Sequence, residues 1–93
     1  MAHLEGVRVL EFSHMVMGPT VGMILADLGA EVIKVEPLGG DKTRDLPGSG
    51  AGYFAMYNRN KRSITVDLKS AEGIEVVRGL LATSDVMIEN FRH

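Results

Sequence analysis

Three groups of residues have types and spacings that could do chemistry. Glu36 closes the alternating stretch Glu31-Val-Ile-Lys-Val-Glu36, downstream of a tight turn, Ser13-His-Met-Val-Met-Gly-Pro19. A carboxylate about 20 residues beyond a first strand–helix turn is where a dinucleotide fold grips a ribose diol. The turn argues against that chemistry. If Gly18 opened the glycine fingerprint, the next two glycines would fall on Thr20 and Met23. Thr20 would hinder the approach of a pyrophosphate, and Met23 would hold helix and strand apart. A solvated strand end is the better reading of Glu36, and NAD binding the poorer one.

The second group is basic. Arg59-Asn60-Lys61-Arg62 is compact, and Lys69 follows it. Arginine offers a planar fork and lysine a point charge, both suited to phosphate; a solvated turn is the plainer alternative. The patch is too small for a nucleic-acid groove without interleaved aromatics. The third group is Gly48-Ser-Gly-Ala-Gly52. It does not join a strand to a helix of useful length, which a phosphate loop requires, so it reads as a surface loop. His3, His14 and His93 lie too far apart in sequence to suggest a metal site. Ser13 and His14 are chain neighbours whose side chains would diverge on extended backbone, which disfavours a nucleophile–base pair.

These residues must be held by a small body. The chain has 93 residues, 45% apolar and 24% charged, with a net charge of -2 and no cysteine. That suits a single globular unit or part of one, with no general attraction to nucleic acid or anionic lipid. There is no disulfide chemistry, no apolar run near the roughly 18 residues of a membrane span, and no signal-peptide pattern. A soluble, cytoplasmic protein is expected.

The elements alternate. Val7–Phe12 reads as a first strand, and Gly18-Pro19 opens a helix that Gly29 stops. Glu31–Glu36 is a second strand ended by Pro37, and Leu38–Gly52 a loop. Tyr53–Asn58 is a short helix or turn, and Arg62–Leu68 a third strand. Ser70 caps a last helix whose apolar face is Ile74, Val77, Leu80 and Leu81, and Asp85–Glu89 is a fourth strand. This order predicts an α/β fold, a Rossmann-like parallel sheet of about four strands with helices on both faces. The first helix carries more apolar surface than so small a body can hide, and the fourth strand has little to cover it. Residues 1–93 are therefore expected to be an incomplete domain, or a chain that must associate.

Several stretches resemble the N-terminus of the family III CoA-transferases, a group that includes formyl-CoA transferase, carnitine CoA-transferases and α-methylacyl-CoA racemase. They are Leu4-Glu-Gly-Val-Arg-Val-Leu10, Gly18-Pro19, and Ile24-Leu-Ala-Asp-Leu-Gly-Ala-Glu-Val-Ile-Lys-Val-Glu36. The likeness continues through Gly40-Asp41 with Arg44, Asn58-Arg-Asn-Lys-Arg-Ser63, Asp67-Leu-Lys-Ser-Ala-Glu-Gly73 and Asp85-Val-Met-Ile-Glu-Asn-Phe-Arg92. The resemblance covers essentially the whole chain in order. It implies a protein several times longer, with a Rossmann-like large domain, of which residues 1–93 would be the N-terminal part, and two interlocked subunits. It implies a CoA thioester and a carboxylic acid as substrates, with no metal. In the transferases an aspartate forms a mixed anhydride and then a CoA thioester; in the racemases an acid–base pair moves the α-proton. Both catalytic sets lie beyond the equivalent of His93, so no catalytic residue is expected here.

By the same resemblance, CoA contacts fall on His14, Val16 and Met17 in the first turn. Others fall on Val66, Asp67, Leu68 and Lys69 after the third strand, and on Asn90, Phe91 and Arg92. Arg62, Lys69 and Arg92 are the cations available for phosphate. Pro37 stands where formyl-CoA transferase has an arginine, Val16 where it has a glutamine, and Arg92 where several relatives have glycine. These departures lean away from the formyl/oxalate pair. An apolar turn, Met15-Val16-Met17, suits the methyl-bearing pantetheine arm of CoA, and the alternative is that its methionines fill core gaps.

Overall fold

A computed structural model describes residues 3–48 and 52–90. Strands β1 (Arg8–Phe12), β2 (Glu31–Glu36), β3 (Arg62–Thr65) and β4 (Val86–Glu89) form one sheet in the order β3-β2-β1-β4. All three pairings are parallel, with Val9 opposite both Val32 and Val86, and Val35 opposite Ile64. Helices α1 (Met17–Asp27), α2 (Tyr53–Tyr57) and α3 (Ala71–Ala82) connect the strands. This is the predicted α/β, Rossmann-like architecture.

Alternation along the strands builds two apolar layers. Leu10, Phe12 and Val35 face α3 and pack with Val66 and Val77. Val9 and Val32 face α1 and pack with Ala26 and Ala30. The helices therefore cover opposite faces, as consecutive right-handed crossovers require. The chain runs outward from β1 through β2 to β3, and α3 then carries it back to β4 on the other side of β1. The strand order reverses between β1 and β4. In open parallel sheets, ligands bind beyond the carboxyl ends of the strands near such a reversal.

The expected caps form. Gly29 takes φ +105° after α1, and Ser70 Oγ accepts from Gly73 N at 2.9 Å to start α3. Several boundaries shift, and β1 begins at Arg8 instead of Val7. Helix α1 begins at Met17, so Pro19 is its third residue, where a missing N–H still costs nothing because that group has no acceptor within the helix. β4 begins at Val86, because Asp85 turns its carboxylate onto the Arg8 amide at 2.9 Å. β3 stops at Thr65 instead of Leu68. There Asp67 diverts the chain: its Oδ1 accepts from Lys69 N at 3.0 Å, and its carbonyl from Ser70 N at 3.1 Å.

The surplus of apolar surface is real. Met17 is 75% exposed, Ile24 51% and Met87, on edge strand β4, 56%.

Candidate functional site

The carboxyl ends of β1, β2 and β3 open into a single cleft of about 880 Å³. His14 and Met15 follow β1, Pro37 and Leu38 follow β2, and Val66–Lys69 follow β3. A 3-10 turn, Lys42–Asp45, and Leu46 form the remaining wall. The lining is largely apolar, through Met15, Val35, Leu38, Leu46, Val66 and Leu68; its charged members are Lys42 and Lys69, Asp41, which is paired with Lys34, and Asp67, which accepts from the Lys69 amide. An elongated molecule with an apolar stem and an anionic end fits this chemistry.

Beneath the cleft lies a buried ionic cluster. Glu11 is 0% exposed and takes two lysines. Lys61 Nζ lies 2.8 Å from its Oε1, and Lys34 Nζ 3.4 Å from its Oε2. Lys61 also donates to the Pro19 and Asn58 oxygens, each at 2.9 Å. Lys34 reaches Asp41 Oδ2 at 3.0 Å and the Ser13 carbonyl at 3.1 Å. The Ser13 hydroxyl donates to Glu11. Burial pushes the Lys61 ammonium below its ordinary range, against the pull of Glu11. Burial pushes Asp41 the other way, but bonds from Thr43 and Lys34 outweigh it and hold the carboxyl below its usual value. Two alternating strands supply Glu11 and Lys34, and the 3-10 turn closes over them.

Helix α1 can cover this cluster only because Gly22 has no side chain. A Cβ there would lie 1.8 Å from Glu11 Oε1. Counted from Gly18, the glycine needed for close helix–strand packing falls on Met23; Gly22, one position earlier, does that work. Gly18 is also tightly placed, since its Cβ would lie 2.6 Å from Ser13 Cβ and 2.8 Å from Asn90 Cγ.

Glu36 is not a solvated strand end. It is 2% exposed, and Arg44 grips it through Nε at 2.7 Å and Nη2 at 2.8 Å. The Asp41 amide and the Ser63 hydroxyl also donate to it. Arg44 holds the Glu36 carboxyl down to about 2 despite its burial. The Arg44 guanidinium also stacks 3.8 Å over the Phe54 ring of α2. A carboxylate so occupied does not present itself to a ribose, which removes the one residue that spoke for NAD.

The residues singled out from the sequence fall as follows. His14, Val66, Asp67, Leu68 and Lys69 line the one cleft. Asn90 lies just past β4 and hydrogen-bonds the backbone of His14 twice, at 3.1 Å each. Val16 and Met17 stand at the start of α1, beyond His14 and Met15, and outside the cleft lining. Phe91 and Arg92 lie outside the described residues. The basic patch divides. Arg59 pairs with Asp27 at 2.8 Å on the surface, Lys61 is buried on Glu11, and Arg62 opens β3, a strand's length from Lys69. It is therefore neither one solvated turn nor one phosphate site. Sequence reading missed Glu11, Lys34, Asp41 and Thr43. For Glu11 and Lys34 the only local signal was a charged residue inside a short, otherwise apolar strand, and Asp41 and Thr43 lie in the turn after β2, which carried none.

The family model described as CoA-transferase family III matches residues 4–93. The chain is 53% identical over 93 residues to a formyl-CoA:oxalate CoA-transferase of Rhodopseudomonas palustris, covering 95% of this chain and 22% of that protein. It is 48% identical over 100 residues to a succinate–glutarate CoA-transferase of Agrobacterium fabrum, covering 96% of this chain and 25% of that protein. Among solved structures, it superposes with a TM-score of 0.93 on a Mycobacterium tuberculosis protein described as hypothetical, at 46% identity, covering 99% of this chain and 26% of the other. A CAIB/BAIF family protein from Brucella suis matches with a TM-score of 0.88 at 48% identity, over 97% of this chain and 26% of the other. The chain thus spans about a quarter of the length of these relatives.

Proposed function

The chain belongs to CoA-transferase family III, and from that premise we propose that residues 1–93 are the N-terminal part of a large Rossmann-like domain and hold part of a CoA thioester site. The observation that carries this reading is the convergence of His14 with Val66–Lys69 on one cleft at the strand tips. In this reading the apolar wall of Met15, Leu38, Leu46 and Leu68 takes the pantetheine arm. Lys69 and Lys42 at its border face the phosphates. Val16, Met17, Asn90, Phe91 and Arg92 extend the cradle along the tips of β1 and β4.

The proposed reaction moves CoA between carboxylic acids. An aspartate carboxylate, supplied by polypeptide other than residues 1–93, attacks the acyl-CoA carbonyl and expels the CoA thiolate, leaving a mixed anhydride. The thiolate then attacks the aspartyl carbonyl, releasing the first acid and forming an aspartyl-CoA thioester. The acceptor acid reverses the sequence. In these steps the present residues bind and orient CoA and keep the thiolate within reach, and none of them reacts. The names of the curated relatives support transfer over α-proton racemisation. Those names span formyl/oxalate and succinate/glutarate pairs, and Pro37 and Val16 lean away from the former. An interlocked, cytoplasmic homodimer completes the proposal.

Isothermal titration tests it. CoA should bind in the micromolar range and NAD should not bind. Equal binding of the two, or binding of NAD alone, would contradict the reading.

A further inference from the structure

Met15 is a non-glycine residue at φ +65°, in the left-handed region. An L-residue there is unfavourable and needs its surroundings to hold it. The neighbour that holds it is Thr43, 1% exposed in the 3-10 turn. Its Oγ1 accepts from Met15 N at 3.1 Å and donates toward Met15 Sδ at 3.8 Å. Thr43 is itself fixed. Its amide donates to Asp41 Oδ1 at 2.8 Å, and Asp41 Oδ2 meets Lys34 at 3.0 Å. Lys34 returns to the first turn through the Ser13 carbonyl at 3.1 Å. The loop after β2 and the turn after β1 are thus tied together below the cleft that both of them line.

We infer that Thr43 is a positioning residue: it holds Met15 in the left-handed conformation that shapes the cleft wall taking the apolar arm of the coenzyme. The inference rests on the CoA reading above. Thr43 makes its contribution through the backbone of Met15, so its loss lowers the fraction of molecules with the wall in place. Apparent affinity falls by that fraction. Only ligands that carry the arm are affected, because the phosphate-bearing border is formed by other residues.

The test uses Thr43→Val, which keeps the shape and removes the hydroxyl, and Thr43→Ser, which keeps the hydroxyl. Dissociation constants are measured for CoA, for pantetheine and for adenosine 3′,5′-bisphosphate, which lacks the arm. Thr43→Val should weaken CoA and pantetheine about five- to tenfold, the equivalent of one lost hydrogen bond. It should leave the bisphosphate unchanged, and Thr43→Ser should restore both arm-bearing ligands. An equal loss for all three ligands would mark Thr43 as merely structural. Unchanged CoA binding in Thr43→Val overturns the positioning role alone, whereas a wild-type protein that binds none of the three overturns the CoA reading and this role together. Amide exchange at Met15 in the wild-type protein needs no variant. Slow exchange is expected, and exchange at the rate of an open chain would contradict the bond to Thr43.

Discussion

Asn90 and His14 are joined by a reciprocal pair of hydrogen bonds across the point where the strand order reverses. The Asn90 Oδ1 accepts from His14 N and its Nδ2 donates to His14 O, each at 3.1 Å. The tip of β4 thus fixes the backbone of the turn after β1. On the other side of the same turn, Thr43 holds Met15. His14 and Met15 are clamped between β4 and the loop after β2.

Asn90→Ala should therefore destabilise the fold by about 0.5–1.5 kcal/mol, the net worth of hydrogen bonds that lie near solvent, where water takes over part of the pairing. Asn90→Asp should recover part of this, because it retains the acceptor and loses the donor. Urea denaturation of the three proteins checks the order. An Asn90→Ala protein as stable as the wild type would show that the clamp contributes nothing.

Two glycines in helices should respond in opposite directions to the same change. Gly22→Ala places a methyl where the Glu11 carboxylate lies, and a buried ion pair displaced from its partner costs about 3–5 kcal/mol. Gly79, on α3, has nothing within 4 Å of a built Cβ. Gly79→Ala should stabilise the protein by about 0.5–1 kcal/mol through helix propensity alone. Thermal melts of both variants decide the matter, and similar shifts in the two would contradict the packing of α1 on Glu11.

Acid stability should depend on Glu36. Its carboxyl lies at about 2 in the folded protein, against 4.5 in the free side chain, with Arg44 as the main cause. A group with a lowered folded value stabilises fully above its unfolded value and loses that contribution as pH falls through its folded value. About 3 kcal/mol is therefore present above roughly pH 4.5 and disappears toward pH 2. Glu36→Gln should be much less stable than the wild type at pH 7, with the gap closing between pH 4.5 and 2. Guanidinium unfolding at several pH values measures this, and a gap independent of pH would refute the Glu36–Arg44 assignment.

Lys69 should act on phosphate, not on the arm. Lys69→Ala is expected to weaken CoA more than dephospho-CoA and pantetheine, and to reduce the salt dependence of CoA binding. Equal losses for the three ligands would argue against a phosphate role.

The β-rich run Val7–Phe12, the alternation of Glu31–Glu36, the Gly29 stop and the Ser70 cap were enough to lay out the parallel sheet and its two long helices. They depend on neighbours in sequence. The end of β3 was misplaced because Asp67 competes for its own backbone through the Lys69 and Ser70 amides, a local turn that a run of β-rich residues conceals. The ionic cluster was hidden for a different reason. Strand alternation marks Lys34 and Glu36 as polar positions without saying whether that face is wet. Their state is set by Glu11 and Lys61, brought in from distant parts of the chain, and by Asp41 and Arg44, which fold back from the loop after β2. Lys61 shows the difficulty best: it reads as part of a basic surface run, and its side chain is 2% exposed. The cleft residues His14 and Val66–Lys69 came from family likeness, since nothing in their types alone announces a coenzyme.

The central claim is that the strand-tip cleft holds CoA. Backbone amide shift mapping of the isotope-labelled protein during a CoA titration tests it most directly. Saturable shifts confined to His14–Met17, Lys42–Thr43, Val66–Lys69 and Asn90 are predicted, whereas saturable shifts at the opposite, amino-terminal ends of the strands, around Arg8, Glu31 and Asp85, or no shifts at millimolar CoA, would contradict it.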